Sequence, residues 1–522
     1  MDPIRLEVFK NLFSSVAEEM GVTLCRTGYS PNIKERRDFS CAFFDQEGAM
    51  ISQAAHIPVH LGSMPLSVRE AVERFDFAPG DVVILNDPYR GGTHLPDVTL
   101  ITPVFMGGGG ARQLIGFVAN RAHHADVGGM TPGSMPSSQE IFQEGLIIPP
   151  LKIMEEGRLN SQVMELILAN VRTPEERAGD LRAQMGANER GKQRLQGLVA
   201  KYGLPQVKEY MAALLRYSEE MTRKLISQLP EGSYTYSDFM DDDGVEDEPV
   251  EIRVEVTIEG EEARVDFTGS SPQRKGSVNC VYAVTLSAVY YVFRSITGLD
   301  IPSNSGCFVP LRVIAPLGSV VNAQPPSAVA GGNVETSQRL VDVVLGALAQ
   351  ACPKRVPAAS AGTMTNITIG GYDPFRKKSY VYYETVAGGM GARPNKDGLS
   401  GVHTHMTNTM NTPLEALEYL YPLLVTRYEL RSGSGGEGRF RGGEGIRRDI
   451  KLLHEAQVTI LADRHKFPPY GLQGGQPGRC GENLLMADGE ERRLRSKVSL
   501  YLPKGAVISL RTPGGGGYGQ RE

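Results

Sequence analysis

Hydrophobic residues recur along this chain with two distinct periods, and the alternation between them predicts a mixed fold. Over residues 4–27, Leu6, Phe9, Phe13, Val16 and Met20 are spaced by three and four, the stripe of an amphipathic helix. Short β-type runs follow at Phe39 to Phe44, Val82 to Leu85, Val98 to Val104 and Leu114 to Ala119, separated by Gly and Pro turns. Helix returns from about 157 to 229. Thr173-Pro174-Glu175-Glu176 reads as a capping box with proline at the first helical position. Val207, Met211, Leu214, Leu215, Met221 and Leu225 mark the buried stripe of the next helix. After the acidic break Asp241-Asp242-Asp243-Gly244, Ile252, Val254, Val256 and Ile258 alternate with polar neighbours as a half-buried strand does. Helices are predicted over 281–296 and 335–350, and short strands and turns after 430. No repeat of fixed period is present.

The expected fold class is therefore α+β: a large, multi-layer, mixed α/β protein with long glycine-rich loops and a β-rich C-terminal part. Three regions are expected within one continuous module. Residues 1–150 form an α/β region, 151–240 a helical region, and 241–522 a β-rich region with helices and a glycine-rich tail. The 60 glycines and 33 prolines gather in segments such as Gly388-Gly389-Met390-Gly391 and Gly433 to Gly445, which implies many tight backbone passages.

Composition narrows the partners. With 41% hydrophobic and 22% charged residues the 522-residue chain reads as soluble and globular. A net charge of -5 without a basic block argues against nucleic acid and anionic membranes. No apolar run reaches the ~18 residues of a membrane span, and the N-terminus lacks a signal-peptide pattern. Cys25, Cys41, Cys280, Cys307, Cys352 and Cys480 are scattered without a C-x-x-C pair. That suits free thiols in a reducing compartment, so a cytoplasmic location is expected.

The candidate chemistry is concentrated. Five of the nine histidines, His56, His60, His94, His123 and His124, fall within one stretch that also carries Asp87, Asp97 and Asp126. Imidazole and carboxylate are the ligand set of a borderline or hard divalent metal. Pro96 keeps Leu95 extended, so His94 and Asp97 are not a helical pair; a tight loop can aim both at one ion, and the alternative is a His and an Asp that cap a turn. In an extended segment His124 and Asp126 share one face and His123 takes the other, so only one of the two histidines need be a ligand. His56 and His60 flank Pro58, which argues against a helical pair and for a supporting role. A nucleotide site is not recognisable. Gly433-Ser434-Gly435-Gly436-Glu437-Gly438 matches G-x-G-x-x-G but precedes Arg439-Phe440-Arg441-Gly442-Gly443 rather than a helix, and no P-loop exists. There is no G-x-S-x-G elbow either.

Seven motifs in order identify a family. They are Glu35-Arg36-Arg37-Asp38-Phe39-Ser40, Ile57-Pro58-Val59-His60-Leu61-Gly62-Ser63-Met64, Asn86-Asp87-Pro88-Tyr89, and Arg121-Ala122-His123-His124-Ala125-Asp126-Val127-Gly128-Gly129. Asn170-Val171-Arg172-Thr173-Pro174 with Gly179-Asp180-Leu181, Thr407-Asn408-Thr409-Met410-Asn411-Thr412-Pro413, and Gly438-Arg439-Phe440-Arg441-Gly442-Gly443 complete the series. Together they resemble the hydantoinase B/oxoprolinase family from about residue 3 to the glycine-rich end.

The resemblance implies a division of labour. An A-type partner with an ATPase fold phosphorylates a lactam or imide carbonyl oxygen, and the B-type chain, holding a divalent metal, hydrolyses the activated intermediate. ATP is then used by the partner, which accounts for the missing nucleotide motif, and an A2B2 hetero-oligomer is expected. The substrate is a hydantoin, N-methylhydantoin, 5-oxoproline or related lactam. Carried over, the metal ligands fall on Asp38, His94, Asp97 and His123, with His124 the alternative to His123. Mn or Zn is expected, with Fe and Co also compatible with mixed N/O donors. Such an ion depresses the pKa of a water in its open positions. Asp126, His124 and His60 are expected to move protons or support ligands. Asn86, Asn120, Arg121, Asn170 and Arg172 are expected to hold substrate or phosphate. Two other readings are a component of an ATP-dependent ketone carboxylase of the acetone or acetophenone type, and a non-catalytic scaffold for the hydantoinase A-type partner.

Overall fold

The computed structural model describes residues 2–54, 56–107, 113–296, 301–487 and 489–521. The apolar alternation after residue 38 builds a seven-stranded antiparallel sheet. Its strands are β1 (Phe39–Asp45), β2 (Met50–Gln53), β3 (Val82–Leu85), β4 (Asp97–Met106), β5 (Gln113–His123), β6 (Leu151–Glu155) and β7 (Arg158–Leu159), in the order β2-β1-β5-β4-β3-β6-β7. β5 extends beyond the predicted Leu114–Ala119 to His123, because its partners β1 and β4 continue the ladder to that point.

The two-residue period of β5 sorts its side chains between two layers. Val118 and Ala122 face a core shared with Phe9, Phe13 and Met20 of the N-terminal helix Pro3–Thr27 and with Ala183 and Ala187 of the helix Pro174–Tyr202. Phe117 and Ala119 join the second core with Met64, Val68 and Ala71 of the helix Ser63–Arg74. Pro174 occupies the first helical position as expected, but the Thr173 side chain makes no capping hydrogen bond. The following helix, Leu204–Ile226, carries the predicted stripe.

A second sheet comprises β8 (Gly232–Met240), β9 (Val250–Glu259), β10 (Glu262–Asp266) and β11 (Leu311–Ile314), in the order β11-β10-β9-β8. The helices Tyr282–Ser295 and Ser337–Ala351 share its core, and a π-turn at Gly332–Thr336 leads into the latter. The acidic run at 241–243 is a buried turn between paired β8 and β9. Asp241 accepts the His465 and Lys466 N–H groups, both at 2.8 Å, and Asp243 accepts those of Val245 at 2.8 Å and Gly276 at 3.0 Å.

The C-terminal part packs two further antiparallel sheets around a common core. One contains strands Asn366–Asp373 and Lys378–Thr385, the other Ile446–Leu452 and Val507–Arg511. The glycine-rich segments meet backbone to backbone: Gly443 N–H donates to Met390 O at 2.8 Å, and Gly515 N–H to Gly443 O at 2.9 Å. A Cβ on Gly389 or Gly442 would run into a neighbouring carbonyl, so close approach demands glycine there. Among the described residues, no helix is long and apolar enough to cross a membrane.

Candidate metal centre

Three strands of the first sheet bring their ends to one edge. Asp97 opens β4 and His123 closes β5, and the antiparallel register sets them opposite each other. β1 begins one residue after Asp38, whose carbonyl accepts the His123 N–H at 2.9 Å. His94 enters from the turn before β4, closed by a 3.1 Å bond from Asp97 N–H to His94 O.

Three side chains converge there. His94 Nε2 and His123 Nδ1 are 3.2 Å apart. Each lies 3.3 Å from one oxygen of Asp97, His94 from Oδ2 and His123 from Oδ1. All three residues are buried, and their ligand atoms lie within 4.8 Å of one another. Two ring nitrogens turned towards each other beside a shared carboxylate form a donor set that suits a borderline divalent ion. Burial lowers the His123 pKa against the pull of Asp97, which favours a neutral ring with a lone pair. Burial alone would raise the Asp97 carboxyl. Electrostatic attraction to the neighbouring His94 and hydrogen bonding with His123, His60 and His94 instead hold it well below the usual carboxylate range. An ionised carboxylate and a neutral imidazole are the forms that bind a cation. The residues therefore fit a metal.

His60 supports this arrangement. Its Nδ1 meets Ser40 Oγ at 2.8 Å and its Nε2 meets Asp97 Oδ2 at 3.3 Å, while the Thr93 hydroxyl donates to the same carboxylate oxygen. His56 lies apart from this cluster. It precedes the turn Pro58–His60, and its Nδ1 accepts the Cys41 N–H at 3.2 Å. The Asp38 side chain lies at the same edge, but its carboxylate meets Arg36 at 3.5 Å and is outside the converging trio.

Several expected site residues are instead committed to the fold. His124 points to the opposite layer, where Nε2 meets Gln184 Oε1 at 2.9 Å. Asp126 accepts from the N–H groups of Gly128 and Gly133, both at 3.2 Å, and from Arg172 N and Nη1, both at 2.9 Å. Asn86 ties Leu95 O (2.8 Å) to Leu146 O (3.0 Å) and accepts the Ile148 N–H. Asn120 bonds Gln184 and Asn188 on the packed helix. Arg121 donates to Thr99, Ser63 and Ser67. Buried, with internal partners for their polar atoms, Asn86, Asn120 and Arg121 brace the elements around the site. Asn170 is exposed and caps its own helix through Leu166 O, and Arg172 also donates to Gly129 O at 2.8 Å.

Other polar groups near the site carry no comparable sign in the sequence. Glu144 is fully buried. Its Oε1 accepts from Ser138 Oγ at 2.7 Å, Val329 N at 2.9 Å and Ala330 N at 3.0 Å, while Oε2 has no partner among the described residues. Burial, opposed by the Ala330 N–H, pushes its pKa up to about 7, and the charge of His94 acts on it. From the C-terminal sheet, Tyr383 lies against His123. The only sequence sign for Glu144 is a lone acid before Gly145-Leu146-Ile147, and for Tyr383 the aromatic run Tyr380-Val381-Tyr382-Tyr383.

A sequence model of the family described as Hydantoinase B/oxoprolinase matches residues 2–521. The chain belongs to the hydantoinase B/oxoprolinase family. It is 40% identical to the 5-oxoprolinase of Dictyostelium discoideum, over 100% of this chain and 41% of that protein. It is 36% identical to a protein of Pseudomonas sp. (strain NS671) described as the B-type component of a D-/L-hydantoinase, over 99% of this chain and 90% of that one. This member of the hydantoinase B/oxoprolinase family thus spans about two fifths of the 5-oxoprolinase, but nearly all of the hydantoinase component. Among solved structures it matches the ATP-dependent caprolactamase from Pseudomonas jessenii with a TM-score of 0.92 and 31% identity, over 100% of this chain and 91% of that one. Nucleotide-free acetone carboxylase superimposes with a TM-score of 0.91 over 99% and 76% of the chains, and at 18% identity that likeness is one of fold. The expected family and α+β architecture both hold.

Proposed function

We propose that this chain is the metal-dependent hydrolytic component of an enzyme for a cyclic amide whose carbonyl oxygen has been phosphorylated by an A-type ATPase partner. The observation that carries this reading is the buried convergence of His94 Nε2, His123 Nδ1 and the Asp97 carboxylate. The 31% identity to an ATP-dependent caprolactamase over the whole chain supports the substrate class. Similarity to the B-type component of a hydantoinase supports a separate partner, and an A2B2 assembly is part of the proposal. When bound, a divalent ion such as Mn or Zn supplies Lewis acidity towards water and the carbonyl.

The chain's own groups do the rest. Asp97 stays ionised among three histidines, and His94 and His123 offer nitrogen lone pairs. His60 holds Asp97 in place through Oδ2. Glu144, with one oxygen fixed by three donors and a pKa near 7, is suited to take or give a proton at Oε2. Phosphorylating the amide oxygen makes the carbonyl carbon more electrophilic; water adds there, the ring C–N bond breaks as the nitrogen takes up a proton, and the acyl phosphate that remains is hydrolysed by a second water to carboxylate and phosphate.

The test combines metal content with turnover. The purified chain is analysed by elemental mass spectrometry beside His94→Ala and Asp97→Ala. ATP-dependent ring opening of 5-oxoproline, hydantoin and caprolactam is then followed with an A-type partner. About one metal per chain, lost in both variants together with ring opening, is expected. Full activity in His94→Ala would leave only a scaffold role, and ATP consumption that requires bicarbonate would point to carboxylation instead.

A further inference from the structure

His94 and His123 each turn one ring nitrogen towards Asp97 and bury the other. Neither His94 Nδ1 nor His123 Nε2 has a hydrogen-bond partner among the described residues. A metal-binding imidazole is ordinarily oriented by donating its second N–H to a carboxylate, carbonyl or water. His123 has no such protein acceptor among the described residues, and rotation about the terminal bond of a histidine is only weakly constrained by its own torsional preference. Something else must set its ring plane.

What touches that ring is an aromatic face from another sheet. The Tyr383 and His123 rings are stacked, with centroids 4.3 Å apart and planes inclined by 19°. Tyr383 is itself immobilised. Its hydroxyl donates to Asn366 Oδ1 at 2.8 Å, and Asn366 Nδ2 donates to Glu335 Oε1 at 3.1 Å and to Leu461 O at 3.3 Å. Those bonds fix which way the amide points. The Arg36 guanidinium lies 4.7 Å from the centre of the same Tyr383 ring. Arg36, Glu335, Asn366 and Tyr383 are all buried, so this chain of contacts exchanges little with solvent. Burial, reinforced by Asp463, raises the Glu335 carboxyl well above its ordinary range, which leaves it a neutral anchor rather than a competing charge.

We propose that Tyr383 is a positioning residue for the metal centre: its ring, tethered through Asn366 to Glu335, sets the plane of His123 so that Nδ1 faces the ion. The geometry of a site carried by the first sheet is thereby set from strands Asn366–Asp373 and Lys378–Thr385 of another. This inference rests on His94, Asp97 and His123 being a metal site.

The test uses the full-length chain and Co(II), whose visible bands report ligand geometry, with Zn(II) competition for affinity. Tyr383→Leu removes the aromatic face and is expected to weaken binding about 10–100-fold and shift the Co(II) bands. Tyr383→Phe keeps the stack but, like Asn366→Ala, loses the tether, and is expected to fall between the native chain and Tyr383→Leu in affinity and band position. Native affinity and bands in Tyr383→Leu would overturn the proposal. Should Tyr383→Leu fail to fold by circular dichroism, Asn366→Ala carries the test, since it leaves the ring and cuts its tether. Weaker binding and shifted bands there support the proposal, and native behaviour overturns it. Failure of the unaltered chain to take up Co(II) or Zn(II) would overturn the metal reading itself, a result distinct from uptake indifferent to these variants.

Discussion

Asp97 and His123 occupy one rung of the ladder between β4 and β5, with Oδ1 3.3 Å from Nδ1 on the same side of the sheet. Directly opposed residues of antiparallel strands project to one face. A slip of one residue would present His124 instead, which belongs to the other layer and faces Gln184. The register of two strands, set by some ten pairs along their length, thus decides which of two adjacent histidines joins the carboxylate.

Asp97 is the hub of that cluster, touched by His60, His94 and His123. Asp97→Asn keeps the shape of the side chain and removes its charge. It is expected to abolish metal retention through desalting while leaving the far-ultraviolet circular dichroism unchanged. Native metal content in Asp97→Asn would exclude the carboxylate as a ligand.

Among the described residues the His60 ring bonds only Asp97 and Ser40, so it should act through the carboxylate. His60→Gln is expected to weaken metal binding about 10–100-fold, as loss of a partner behind a ligand does. Saturating metal should then restore turnover. Chelator competition measures the first effect, and kcat at high Mn or Zn the second. A kcat that stays low at saturation would assign His60 a direct part in proton transfer.

The cluster of His94, Asp97 and His123 is more legible in the sequence than its surroundings, for a physical reason. His94 and Asp97 are three residues apart with a proline between, and His123 follows a clear strand, so local pattern places all three at strand ends. The helix at 4–27 and the strand at 82–85 were equally legible, because their apolar periodicity is set by a single packed face. Asn86, Asn120 and Arg121 are harder to read, because a polar residue in a motif looks the same whether it holds substrate or braces a loop. Glu144, Tyr383 and the Asn366–Glu335 tether depend on chain segments brought together from 140 to 460, which no local period encodes. The acidic run at 241–243 reads only as a break between regions, and nothing in its local pattern shows that each carboxylate is buried and engaged by N–H or cationic partners that are distant or hidden in the turn.

His56 and His124 are held down to about 4, both mainly by burial, with His60 adding to the first and Arg177 to the second. A depressed folded pKa means the stabilising contribution is present above the ordinary value near 6.5 and is lost as pH falls through 4. Each ring accounts for roughly 3 kcal/mol at the acid limit. His124→Gln, which can still bond Gln184, should therefore lose less melting temperature than the native chain between pH 7 and pH 4.5. A pH-independent difference between the two proteins would show that His124 does not titrate in this way.

Glu144 should behave in the opposite sense. Its folded pKa, near 7, lies above the ordinary carboxylate value, so its contribution is complete below about 4.5 and is lost as pH rises through 7. Glu144→Gln removes that titration. The variant's melting temperature is expected to rise relative to the native protein between pH 5 and pH 8, whatever its offset at pH 5. A constant offset across that range would place the Glu144 pKa outside it.

Arg36 binds the sheet that carries His94, Asp97 and His123 to the C-terminal one. Its guanidinium meets Glu384 Oε1 at 3.2 Å and Asp38 at 3.5 Å, and donates to Thr385 Oγ1 at 2.9 Å, with Arg36 and Glu384 fully buried. Removing one partner of a buried ion pair leaves the other charge unpaired, at a cost of about 3–5 kcal/mol. Arg448, 3.2 Å from Glu384 Oε2, remains in Arg36→Leu and should hold the loss towards the lower end of that range. Arg36→Lys should still be markedly destabilising, because one ammonium cannot span Asp38, Glu384 and Thr385 as the planar guanidinium does. The double variant Arg36→Leu with Glu384→Gln should recover part of the loss, since it discharges the stranded carboxylate. Thermal unfolding at one scan rate compares these variants and the two single changes with the native chain. If the double variant is as unstable as the sum of its parts, the two residues do not act as a pair, and the lock between the sheets must lie elsewhere.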